Sequence, residues 1–116
     1  MDHEPVYKLD KLIEYIGTDE DAIKNMLNIF LSSSMDILQQ IQNAIEAGNY
    51  EEVGKNAHKL KPNIDIFGIN CLHEPVRTLE SLARQNKEHE KVKVLVQLIQ
   101  NTLELVFVQM KTDHNI

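Results

Sequence analysis

The chain has 116 residues and a formal net charge of −6, with 42% hydrophobic but only 5% aromatic residues. That length suits one core, so residues 1–116 are read as a single domain with an aliphatic interior. The acidic balance excludes nucleic acid as the main partner, since binding there needs a basic stripe, and no Lys/Arg block suits a membrane surface.

Leu9, Leu12, Ile13 and Ile16 are spaced as the apolar face of a short first helix, ended by Gly17. Thr18 or Asp19 caps a long second helix, and Asp19, Glu20 and Asp21 suit its positive end. Its inner stripe reads Ile23, Leu27, Phe30, Ser34, Ile37, Ile41 and Ala44, widened by Met26, Leu38 and Ile45. Ile29 and Met35 fall on opposite sides of that stripe, each about 120° from its centre. At most one of them is easily covered by a neighbouring helix. The other is expected in an exposed apolar patch near His58 that docks a partner.

The second helix stops at Gly48, and Asn49-x-x-Glu52 resembles a capping box opening a third. Val53, Ala57, Leu60, Ile64 and Phe67 keep one helical spacing across Pro62. The third helix is therefore expected to run through Pro62 to about Phe67, bent locally and with the His58 carbonyl left to solvent. Gly68 fits both helix termination and close packing. Leu72, Val76, Leu79, Leu82 and Ala83 mark a fourth helix. Pro75 leaves two starts open: Glu74, with the proline in the first turn, or Asn70 with a kink. That helix fades at Gln85-Asn86. A fifth spans roughly Glu88 to Met110 with Val92, Leu95, Ile99, Leu103, Val106 and Met110 inward, and Lys111 to Ile116 are expected to fray. The fold class is all-α: an antiparallel four-helix bundle with an additional short N-terminal helix packed at one end.

No apolar run approaches the ~20 residues of a membrane span. The start Met1-Asp2-His3-Glu4 has no apolar segment of a signal peptide, so a cytoplasmic protein is expected. Cys71 is the only cysteine, which rules out an intramolecular disulfide, and it is expected to be a small buried residue. The five histidines lack the His-Glu-x-x-His and Glu-x-x-His spacings of metal sites, and His3 and His114 are expected in mobile ends. No metal site is expected. Gly-x-x-x-x-Gly-Lys, Gly-x-Gly-x-x-Gly and Gly-x-Ser-x-Gly are all missing. The chain shows no means of holding ATP or a dinucleotide, so its chemistry is limited to what a partner brings.

His58 stands apart. On a third helix, His58, Lys61 and Asp65 lie roughly 80 to 140° around from the apolar stripe. His58 is thus at the solvent edge of a buried helix, with Lys61 three residues on, where side chains meet. A neutral imidazole is a good nucleophile, and an adjacent lysine offsets charge on a transferred phosphoryl group.

Ala57-His58-x-Leu60-Lys61, with Gly68 ten residues after the histidine and then Leu72 and Leu79-Glu80, resembles the signature of the histidine phosphotransfer (HPt) domain family. The chain departs from that pattern at Pro62, where the family usually has Gly. The resemblance implies a phosphorelay intermediate. His58 would accept a phosphoryl group from the aspartate of one receiver domain and pass it to another, with Lys61 stabilising the phosphoryl charge. It implies response-regulator receiver domains and a hybrid histidine kinase as partners, with Mg²⁺ supplied by the receiver and no cofactor held by this chain. The expected protein is a monomeric phosphoryl carrier without its own ATP site. The alternative is a phosphorylation-independent helical adaptor that binds receiver domains, which would have no need of the nucleophile.

Overall fold

A computed structural model describes residues 6–116, and these form five α-helices with no strand among them. They are α1 (Asp10–Ile16), α2 (Glu20–Glu46), α3 (Tyr50–Ile66), α4 (His73–Arg84) and α5 (His89–His114), with a 3-10 turn at Asn70–Leu72 before α4. Short connections make chain neighbours antiparallel. α3 packs on α2 and α4, and α5 on α4 and α2, so α3 and α5 sit on a diagonal. No helix among the described residues is long and apolar enough to cross a membrane.

The expected inner residues of α2 are buried from Ile23 to Ala44, and Leu31 joins them. Asp19, rather than Thr18, caps this helix: its carboxylate accepts from the Ala22 N–H at 3.0 Å. At α3 only half of the capping box forms. Asn49 Oδ1 accepts from the Glu52 N–H at 3.2 Å, while the Asn49 N–H donates to the Ala44 carbonyl at 2.8 Å. α3 runs unbroken through Pro62 and buries Ile64. The buried spacing on either side of the proline outweighs its missing N–H. Pro75 takes the first of its two readings, in the first turn of α4.

α2 and α5 are longer than α3 and α4, and the N-terminal segment covers the end they leave. Phe30 stacks on Phe67 at 4.3 Å between ring centres and meets Phe107 edge-on at 6.0 Å. Above this trio the Lys8 N–H donates to the Phe67 carbonyl at 3.0 Å. Gly68, at φ 60°, does both things expected of it. It ends α3, and a Cβ there would stand 2.7 Å from Lys8 Cβ.

Two expectations fail. Lys111 to His114 do not fray: α5 continues to His114, Tyr7 O–H donates to Asp113 at 2.6 Å, and His114 Nδ1 meets Glu20 at 3.0 Å. The N-terminal segment ties this end down, so His114 is in no mobile tail; His3 lies outside the described residues. Cys71 is exposed, because the 3-10 turn sends Leu72 inward and leaves the cysteine outside.

Candidate functional site

α3 presents one face to α2 and another to α4, and His58 sits on the solvent margin of the second. Its side chain is 59% exposed. Across the helix contact, Glu80 of α4 places Oε2 2.8 Å from His58 Nδ1. An ionised carboxylate only accepts, so Nδ1 carries the proton and donates it. The Nε2 lone pair is then left for chemistry.

Glu80 is held from three sides. Lys61 Nζ lies 2.8 Å from Oε1, and Arg84 Nη2 lies 3.2 Å from Oε2. Burial of its side chain would push the Glu80 carboxyl up. The hydrogen bonds from Lys61 and His58, and their charges, outweigh that and hold it below its ordinary value. One carboxylate and two permanent cations leave a net positive charge beside the imidazole.

The close approach of α4 to α3 depends on Gly54, one turn before His58. A Cβ there would lie 2.8 Å from Arg84 Cγ and 3.3 Å from the Arg84 backbone nitrogen. Any larger residue pushes the turn carrying Glu80 and Arg84 away from α3.

Of the two residues singled out from sequence, His58 is where the helical spacing put it. Lys61 is beside it but bonded to Glu80. Glu80 had entered only as part of a motif, and Arg84 and Gly54 not at all. The His58–Glu80 pair spans 22 residues and two helices, which local periodicity cannot register. Gly54 had a legible signal: a glycine inside a helix, four residues before His58 and on the same side.

A second histidine cluster lies further along the α3–α4 contact. His73 Nδ1 is 3.2 Å from Asp65 Oδ1 and 3.1 Å from Arg77 Nη1. Arg77 also donates to Asp65 Oδ2 at 2.9 Å and to the His73 carbonyl at 3.1 Å.

Neither Ile29 nor Met35 is covered; they are 52% and 60% exposed. Met35 lines a groove of about 200 Å³ with Leu38, Gln100 and Phe107, on the α5 side of α2 and away from His58. Ile29 is on the α3 side, roughly 13 Å along the bundle from the level of His58 at 1.5 Å per residue.

The family model for the Hpt domain matches residues 25–108, more than half of the chain. No curated protein and no solved structure matches it.

Proposed function

The chain belongs to the Hpt domain family, and from that premise we propose that His58 is its phosphoacceptor, taking a phosphoryl group from one receiver-domain aspartate and giving it to another. Membership implies histidine phosphotransfer within a phosphorelay, by a carrier rather than a kinase, in contact with receiver domains and histidine kinases. The observation that carries the assignment to His58 is the Glu80 bond to Nδ1 at 2.8 Å.

The step follows from that bond. The Nε2 lone pair attacks phosphorus as the bond from phosphorus to the aspartyl oxygen breaks, and the aspartate leaves as a carboxylate. Nε2 has no proton to lose in this tautomer. The ring becomes positively charged, and Glu80 stabilises it through the Nδ1–H, as a carboxylate steadies an imidazolium in a Ser-His-Asp triad. Returning the group to a second receiver reverses each movement. Transfer of this kind needs mainly in-line positioning and charge neutralisation. A rigid helix supplies the first. Lys61, with Arg84 behind it, is the charge-stabilising group proposed for the second. The Mg²⁺ is proposed to come with the receiver, the original donor to be a hybrid histidine kinase, and the docking surface to run over α3 around Lys59 and Pro62 toward Ile29.

The test is to incubate the protein with a receiver domain phosphorylated on its aspartate, in Mg²⁺. Acid-labile, base-stable label should appear on the chain and map to His58. With ATP alone, in a kinase-free preparation, no label should appear. Label on another residue would overturn the assignment.

A further inference from the structure

We propose that the cavity between the start of α3 and the end of α4 binds a phosphate oxyanion, free or on a small ester. It shares Arg84 with the His58 cluster. The cavity has a volume of about 480 Å³, with Asn49, Glu51, Lys55, Arg84 and Asn86 in its wall. Small-molecule sites run from about 300 to 1,000 Å³, so there is room for more than a bare ion. His58, Lys61 and Glu80 are not part of that wall. On a chain of net charge −6, two cations against one acid reverse the sign locally.

The hydrogen-bonding groups fix the kind of ligand. Acceptors there are already taken. Asn49 Oδ1 accepts from the Glu52 N–H at 3.2 Å, and the Asn49 carbonyl from the Val53 N–H at 3.3 Å. The Ala83 carbonyl accepts from the Asn86 N–H at 3.0 Å. Asn86 Oδ1 takes the His89 Nε2–H at 2.7 Å, and the His89 ring lies flat on Tyr50, ring centres 3.8 Å apart. With its oxygen spent, each asparagine has only its NH2 left to offer. Lys55 Nζ is 3.9 Å from Glu51 and 4.0 Å from Glu52, ion pairs too long to be hydrogen bonds. Arg84 carries five N–H donors, more than its share of Glu80 can take. The cavity thus offers ammonium, guanidinium and amide donors together. They call for a group that only accepts, carries negative charge and has several oxygens. A phosphate does all three.

The connection with His58 runs through one side chain. Arg84 Nη2 stands 3.2 Å from Glu80 Oε2, the oxygen that also takes the His58 Nδ1–H. An anion in the cavity competes for that guanidinium and loosens it from Glu80. His58 then has a larger share of the carboxylate. An occupied cavity is therefore felt at the imidazole without touching it. The binding step needs no assumption about which histidine is phosphorylated.

NMR of the whole, unphosphorylated chain, titrated with inorganic phosphate and with glycerol phosphate, tests it. Signals of Lys55, Arg84 and Asn86 should move saturably, with a dissociation constant on the order of 1 mM. The His58 ring should follow the same curve. Sodium chloride at matched ionic strength should move neither. Lys55→Gln should weaken binding about three- to tenfold, and Glu51→Gln, which removes the one acid, should tighten it about two- to fivefold. Both changes also alter simple screening, so an uncharged variant decides. Asn86→Gly keeps the turn, since glycine takes its φ of 54° freely, and removes the NH2. It should weaken binding about threefold or more at an unchanged melting temperature. A tighter fit for glycerol phosphate assigns the cavity to an ester, equal affinity assigns it to the free ion, and both uphold the site. Shifts reproduced by chloride, or binding indifferent to Asn86→Gly, overturn the site. Saturable binding that leaves the His58 ring unmoved overturns the sharing of Arg84.

Discussion

His58 and His73 are both exposed, and both set Nδ1 against a carboxylate across the α3–α4 contact, at 2.8 Å and 3.2 Å. The difference lies in what else touches that nitrogen. Around His58 the cations bind the carboxylate and leave the ring alone, so Nδ1 donates and Nε2 keeps its lone pair. Around His73 the Arg77 guanidinium stands 3.1 Å from Nδ1 itself. A guanidinium only donates, so it needs a lone pair where Asp65 needs a proton. If Arg77 prevails, the proton sits on Nε2 and blocks attack there. If Asp65 prevails, the Nε2 lone pair faces Glu74, whose carboxylate is 3.9 Å away and repels an incoming phosphoryl group. Arg77 also bonds the His73 carbonyl and Asp65, which pins the start of α4 to α3. Two similar pairs thus differ in what they can do: one leaves Nε2 of its imidazole with a lone pair, as the proposed phosphoacceptor requires, and the other fastens the fold. A histidine beside an acid is not by itself a phosphoacceptor. The placement of the cations decides.

The sharpest way to break that comparison is to remove each imidazole. His58→Gln should abolish label transfer from a phosphorylated receiver without altering the helical content, as the side chain lies off the apolar stripe. His73→Gln should transfer within about twofold of the parent protein, since nothing at the first cluster changes. Transfer surviving in His58→Gln and lost in His73→Gln would reverse the assignment.

The carboxylate and its cation come next. Glu80→Gln keeps an oxygen for the Nδ1–H but loses the charge that steadies the ring, and single-turnover transfer should slow about ten- to hundredfold. Lys61→Ala should slow it by a similar factor at most, with little loss of stability, since one charge-stabilising contact is worth ~1 to 3 kcal/mol. An unchanged rate would make Lys61 a holder of Glu80 and nothing more. Asp65→Asn is the counterpart in the second cluster. It should leave the rate alone and lower stability by ~1 kcal/mol, measured by urea titration, because the pair it weakens is partly exposed.

These contrasts also show what the sequence could and could not reveal. Apolar spacing carried the helices, because burial acts every three or four residues and is written locally. It carried α3 across Pro62 as well, since Ile64 and Phe67 stayed in phase. It put His58 at the solvent edge for the same reason. The surroundings of His58 are not legible, because Glu80, which bonds it, and Arg84, which bonds Glu80, lie on another helix whose register against α3 is set by packing at Gly54. The firm end of α5 was hidden likewise: Tyr7 and Asp113 are 106 residues apart. Cys71 was misjudged because a single 3-10 turn rotates it outward, and no periodicity exists over three residues.

The smallest effect appears in acid and asks whether the two clusters are independent. Asp65 and Glu80 are both held below their ordinary values of 3.8 and 4.5. Burial pushes each carboxyl up, but hydrogen bonds and charge from Arg77 and His73 in one case, and Lys61 and His58 in the other, outweigh it. As pH falls, the unfolded chain therefore takes up these protons before the folded chain does. The stability they contribute is complete above the ordinary carboxyl range and is lost as pH drops through the lower, folded values. Glu80→Gln and Asp65→Asn should each remove one part of that decline, and the double variant both. Lys61 and Asp65 are one turn apart on α3, as are Arg77 and Glu80 on α4, yet no hydrogen bond or ion pair joins the two groups among the described residues. The losses at neutral pH should then add within ~0.5 kcal/mol, as they do for sites with no shared partner. A coupling above ~1 kcal/mol would join the clusters into a single network, and His73 would then tune the site of His58 rather than only fastening α4.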